Sequence, residues 1–126
     1  MATQALNTSR APLGYLDEQV LARLRRALVA DRAAQAALSA EHQAIANALT
    51  GQRDVDSVLE REIAEASAAR ARDAIDDIDL AIASMAARTY GLCESCLMPI
   101  PLERLEAIPR ARCCVACSGR SVTRLG

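Results

Sequence analysis

Tyr90-Gly91-Leu92-Cys93-Glu94-Ser95-Cys96, then Arg104-Leu105-Glu106-Ala107-Ile108-Pro109-Arg110-Ala111, then Cys114-Val115-Ala116-Cys117, is the stretch on which the reading of this chain turns. Two Cys-x-x-Cys pairs bracket a short loop rich in proline. That is the spacing of a four-thiolate zinc site: each pair makes a tight knuckle, and two knuckles complete a tetrahedron. Four soft thiolates leave no corner for water or substrate, so the expected ion is one structural zinc held by Cys93, Cys96, Cys114 and Cys117. Two disulfides would need an oxidising compartment, and the chain shows no export signal. A redox Cys-x-x-Cys sits beside a strand-helix unit, and none is read here. Cys113 adjoins Cys114 and is read as a spare thiol, or as a stand-in ligand if Cys114 faces the wrong way.

Working outward, a chain of 126 residues is about one domain's worth. It has no Phe and no Trp, only two Tyr, and an apolar fraction that leans on alanine. Alanine buries little area, so closely packed helices suit the composition better than a large globular core. With 15 basic and 16 acidic residues the net charge is −1, which argues against attachment to nucleic acid mainly through phosphates. No run approaches the roughly 18 apolar residues of a membrane span. Residues 1–13 lack the basic start and apolar middle of a signal peptide, so the expected location is the cytoplasm.

Residues 1–14 carry Asn7, Thr8, Ser9, Pro12 and Gly14 without periodicity and read as a flexible lead-in. Asp17 is the expected N-cap of a first helix. Leu21, Leu24, Leu28, Asp31, Gln35, Leu38, His42, Ile45 and Leu49 then recur in steps of three and four, a heptad seam with three polar interruptions. Thr50-Gly51 supplies the stop, with Gly51 suited to a left-handed cap. Ser57-Val58-Leu59-Glu60 fits a capping box for a second helix, with Ser57 as N-cap. Its apolar positions are Leu59, Ile63 and Ala66, then Ile75, Ile78, Ile82 and Met85, and Gly91 is expected to end it.

The predicted fold is mainly α. A long antiparallel two-helix coiled-coil hairpin occupies 15–89, with its tip at 50–57, and is capped by a small four-cysteine zinc-finger module at 90–126 that ends in a short helix or tail. Each arm would be on the order of 50 Å long.

No catalytic constellation is visible, and the chain is not read as an enzyme. The single histidine, His42, falls on the seam, where a polar side chain helps set register. No phosphate-binding glycine loop or nucleophile motif occurs. The tip carries Asp54 and Asp56, which either cap the second helix and complement its dipole or present charge to a partner. Arg104 lies in the finger loop, and Arg110, Arg112, Arg120 and Arg124 surround the second knuckle. These arginines either contact a partner or balance acidic helix faces at Asp73, Asp76, Asp77 and Asp79.

The cysteine stretch also resembles the zinc finger of the DksA/TraR family of bacterial transcription regulators. Tyr90, Gly91, Cys93, Cys96, Ile100, Arg104, Leu105, Ala107, Pro109, Ala111, Cys114 and Cys117 carry the likeness, which covers under a quarter of the chain. Leu97 departs from it: the family usually has glycine there, and leucine is expected to alter the first knuckle's turn. The resemblance implies the same hairpin shape and RNA polymerase as partner. It implies a coiled coil that enters the secondary channel, with Asp54 and Asp56 as the tip acids that approach the active site, and no sequence-specific DNA binding. Fuller members carry two aspartates three apart, then alanine two residues on. Setting Asp56 on the second aspartate leaves Arg53 at the first and Val58 at the alanine, so the effect on transcription is expected to differ in strength or sign.

By the same resemblance, guanosine tetraphosphate acts as co-regulator, gripped by basic residues near the finger. Arg70 matches one such base, while Asp77 and Ser118 fall where two lysines are expected. An acid there repels the ligand, so the expected response is weak or absent. Arg70 and Arg104 are thus the candidate nucleotide or polymerase contacts. Against a monomeric polymerase-channel regulator stand three other readings: a zinc-stapled coiled-coil adaptor, a transcript-cleavage factor with paired tip acids on magnesium, and a direct DNA-binding zinc protein. Val55 between the two acids disfavours the second, and near-neutral charge the third.

Overall fold

No proline falls between Pro12 and Pro99, and good helix formers fill most of that span, so the helical hydrogen-bond ladder has little to interrupt it. The structure, a computed structural model, describes residues 16–118. It contains α1 (Glu18–Ala48), α2 (Val55–Ala86) and a short α3 (Leu102–Ala107). The two long helices, of 31 and 32 residues, pack as an antiparallel hairpin. The lead-in read at 1–14, Arg120, Arg124 and most of the C-terminal helix or tail lie outside the described residues.

Helix ends follow from local hydrogen bonding. Asp17 caps α1, its Oδ1 accepting the Val20 N–H at 2.8 Å. At the other end Thr50 donates its hydroxyl to the Ala46 carbonyl at 3.1 Å. Gly51 takes φ +91 with open space around it, so conformation rather than room demands glycine there. The start of α2 differs from the expected capping box. Asp54 is the cap, its Oδ2 accepting the Ser57 N–H at 3.0 Å, while the Ser57 hydroxyl turns back to donate to Gln52 Oε1 at 2.9 Å. A carboxylate three residues ahead of Ser57 claims the N–H first and moves the helix start to Val55.

The end of α2 also differs from expectation. Gly91 does not end it. The helix stops at Ala86, and Arg88 takes the left-handed conformation at φ 66. Thr89 N–H donates to the Ser84 carbonyl at 2.9 Å and Arg88 N–H to the Met85 carbonyl at 3.2 Å, the paired bonds of a Schellman cap with arginine in the usual glycine position.

Close packing divides the described residues into two units. One is Val29–Asp76, whose buried residues are alanines: Ala46, Ala64, Ala68, Ala71 and Ala74. This corrects the expected seam. Leu38 and Ile45 are exposed on α1, and Leu59 and Ile63 on α2 are 52% and 65% exposed. A straight helix drifts about 20° per heptad from a 3.5-residue repeat, so the α1 seam passes from Leu38 to the half-buried Ser39 and from Ile45 to Ala46, while Gln35, His42 and Leu49 stay half-buried as expected. Small side chains let the helices approach closely, and the large ones are left on the flanks. Arg72 Nη1 donates to Gln43 Oε1 at 3.4 Å across the pair.

The other unit takes in residues 16–28 and 77–118. Its core joins Leu16, Leu24 and Leu28 to Ile78 and Ala81 on α2, and these to Tyr90, Ile100, Leu105, Cys93 and Cys117. The cysteine module therefore shares one hydrophobic core with the helix segments beside it. Tyr90 fixes the junction, donating its hydroxyl to the Pro109 carbonyl at 2.7 Å. No helix among the described residues is long and apolar enough to cross a membrane.

Candidate metal centre

The first knuckle is a tight reversal of 91–100. Leu92 and Pro99 form an antiparallel bridge, Cys93 N–H donates to the Met98 carbonyl at 2.9 Å, and Ile100 N–H donates to the Gly91 carbonyl at 2.6 Å. Within it Leu97 N–H donates to the Cys93 carbonyl at 2.8 Å, and the chain leaves Leu97 in the left-handed conformation at φ 65. The leucine thus does not abolish the turn; it is forced into it. The second knuckle opens a helical turn, with Ser118 N–H donating to the Cys114 carbonyl at 2.8 Å.

The ligand atoms of Cys93, Cys96, Cys114 and Cys117 all lie within 4.8 Å of one another. Cys96 Sγ and Cys114 Sγ are 3.9 Å apart, far longer than the roughly 2.05 Å of a disulfide. Tetrahedral zinc with bonds of about 2.3 Å separates its sulfurs by about 3.8 Å. The donor set therefore fits one structural zinc ion, with four thiolates and no position left for water. Cys113 lies outside this group; its Sγ faces Ser95 Oγ at 3.8 Å.

The electrostatics of the site suit a cation. Burial pushes the Cys93 thiol up, but N–H groups of Cys96, Cys114 and Ser95 directed at its sulfur outweigh that and bring it down to about 5. The Cys117 N–H lowers Cys114. Burial, and then the thiols of Cys114, Cys93 and Cys96, push Cys117 up to about 12. Sulfurs packed this closely resist sharing negative charge, and a divalent ion at their centre removes that conflict.

Around the knuckles lies a shell of charged hydrogen bonds, of which only the balancing of Asp77 by an arginine of the second knuckle is anticipated from the sequence. Arg112 Nε and Nη2 donate to Glu94 Oε2 and Oε1, each at 2.9 Å, and Nη1 donates to Asp77 Oδ1 at 2.9 Å. The Glu94 side chain and, after it, Asp77 raise the Arg112 guanidinium above its ordinary value. Arg104 Nε donates to the Cys113 carbonyl at 3.0 Å, so this candidate contact residue supports the entry to the second knuckle. Arg23 pairs with Glu106 of α3. These partners lie 9 to 83 residues apart in sequence, beyond what local spacing reveals.

The other candidate residues lie in Val29–Asp76. Asp54 is committed to capping, and the Ser57 N–H and then its hydroxyl lower its carboxyl below the ordinary range. Asp56 is exposed in the first turn of α2. Arg70 is exposed and donates to Ser67 Oγ at 3.0 Å. His42 is half-buried on α1.

A closed four-cysteine zinc site beside a long two-helix hairpin defines a small zinc-finger protein of coiled-coil type. Residues 88–122 match the prokaryotic DksA/TraR C4-type zinc finger. The structure is similar to that of the transcription factor DksA2 from Pseudomonas aeruginosa, with 25% sequence identity, a TM-score of 0.73, and coverage of 88% of this chain and 89% of that one. No curated protein matches the chain in sequence. The finger thus matches the DksA/TraR model, and the fold as a whole is similar to that of a DksA-type transcription factor.

Proposed function

We propose that the chain binds bacterial RNA polymerase as a monomer in the cytoplasm. It inserts the tip of its helical hairpin into the secondary channel and modulates transcription initiation without catalysis of its own. The observation that carries this reading is the likeness to the transcription factor DksA2, which extends over 88% of the chain and so takes in the long helices as well as the finger. The tip acids divide their work. Asp54 holds the helix start, and its lowered carboxyl keeps it anionic. Asp56, exposed one position into α2, is the carboxylate with freedom to meet a metal ion or basic group in the channel.

The response to guanosine tetraphosphate is weak or absent. Asp77 stands where the family resemblance leads one to expect lysine, and it is engaged with Arg112. Affinity close to that of well-matched relatives, measured by calorimetry on the polymerase complex, would overturn this part of the proposal.

The test is crosslinking from a photoreactive residue at Asp56 of the zinc-loaded protein, mixed with polymerase core enzyme. Crosslinks to the active-site loops that disappear when a known channel-binding factor competes are the expected result. Their absence, with zinc and helicity intact, would sink the channel mechanism. It would favour the second reading, a docking adaptor, which draws support from the exposed Val55, Leu59 and Ile63, spaced four residues apart on one face of α2.

A further inference from the structure

The two cysteine pairs come from separate stretches of chain, and Glu94 and Arg112 join those stretches twice. Glu94 sits inside the first knuckle, next to Cys93; Arg112 lies two residues before Cys114. The Glu94 N–H donates to the Arg112 carbonyl at 2.9 Å. The Arg112 guanidinium returns to the Glu94 carboxylate as a two-pronged fork, both bonds at 2.9 Å, and its remaining prong reaches Asp77 on α2. A lysine in place of Arg112 could not make this fork, because its ammonium is a single point charge.

We propose that Glu94, Arg112 and Asp77 are positioning residues for the metal centre: an ionic clasp that holds the two cysteine pairs side by side and sets how fast zinc is lost. A metal held by four thiolates leaves stepwise. One sulfur lets go, and either it rebinds or a competing ligand takes its place. The clasp favours rebinding because it keeps the detached knuckle in place, while Asp77 fixes the orientation of the guanidinium from the helix side. All three side chains are partly exposed, so the clasp weakens as salt screens it. This inference rests on the zinc assignment and is independent of whether the chain enters a polymerase channel.

The test follows zinc transfer from the loaded full-length protein to an excess of a chromophoric chelator. It is run at ionic strengths of about 0.01 M and about 1 M, where charges are screened over about 30 Å and about 3 Å. Glu94→Gln is expected to release zinc roughly three- to tenfold faster than wild type at low salt, and at nearly the wild-type rate at high salt. Asp77→Asn is expected to show a smaller acceleration with the same salt dependence. Arg112→Lys keeps the charge and loses the fork, so its release rate should fall between wild type and Glu94→Gln. That variant carries the test if Glu94→Gln fails to load zinc. Wild-type release rates at low salt in both Glu94→Gln and Arg112→Lys would overturn the proposal. So would an acceleration of equal size at both salt concentrations, which would mark a packing defect and not a charge effect.

Discussion

The Leu97 N–H donates to the Cys93 carbonyl oxygen at 2.8 Å, and at the same residue the chain takes the left-handed conformation, with φ 65. The left-handed region crowds the Cβ of any L-residue, at roughly 1–2 kcal/mol relative to the right-handed one. Leu97 is 68% exposed, so its side chain recovers little by burial. Leu97→Gly is therefore expected to stabilise the zinc-loaded protein by about 1 kcal/mol, visible as a raised Tm or chemical midpoint. A lower Tm would show that the leucine side chain contributes packing that outweighs the strain.

Arg88 poses the same conflict in a different setting. Its φ of 66 completes the cap of α2. Arg88→Gly is expected to add about 0.5–1 kcal/mol in chemical denaturation, somewhat less than the strain itself because glycine gains freedom in the unfolded chain. The two residues share no hydrogen bond with each other, so the gains from Leu97→Gly and Arg88→Gly should add.

Asp54 gives a prediction with a pH signature. Asp54→Ala removes the acceptor for the Ser57 N–H and should lower Tm by a few degrees at neutral pH, whereas Asp54→Asn, also a good cap, should recover most of it. The folded-state carboxyl is lowered from 3.8, so its contribution is complete above that value and is lost as pH falls through the lower folded one. The gap between wild type and Asp54→Ala should accordingly narrow in acid. A gap that stays constant from neutral pH to below pH 3.8 would contradict the cap assignment.

For the metal centre, Cys113→Ser should retain one zinc per chain, since Cys113 stands outside the convergent sulfurs. Cys114→Ser should lose tight binding. Chelation of wild type should disturb more than the finger, because Ile100 and Leu105 share a core with Leu24, Leu28 and Ile78. Loss of hydrogen-exchange protection confined to 90–118, with residues 16–28 and 77–86 unchanged, would show that the shared core survives metal loss.

The zinc ligands and the helical hairpin were legible because both are written in local spacing. Cys93, Cys96, Cys114 and Cys117 declare a tetrahedral site by their two short intervals, and Asp17 and Gly51 mark helix ends by their chemistry. The seam residues were less legible. Leu38, Ile45, Leu59 and Ile63 look like core on hydrophobicity alone, yet helix drift and the close approach that alanine allows turn them outward. At the start of α2 two acceptable caps, Asp54 and Ser57, lay within one turn, and only geometry separates them. Of the Glu94–Arg112–Asp77 clasp, the Asp77 half was legible only as one of two readings of the arginines, and the Glu94 half was illegible, since no rule of spacing joins residues 18 positions apart.

The alanine interior of Val29–Asp76 has a further consequence for how this chain tolerates change. Most protein interiors are damaged by losing atoms, because truncating a leucine or phenylalanine opens a void. At Ala46, Ala64, Ala68 and Ala71 almost nothing remains to be removed, and glycine is the only smaller choice. Harm there arrives as added bulk: a single valine or leucine would wedge the two helices apart. Inheritance along this stretch is thus policed by an upper limit on side-chain size, while the large residues on its flanks are comparatively at liberty to vary.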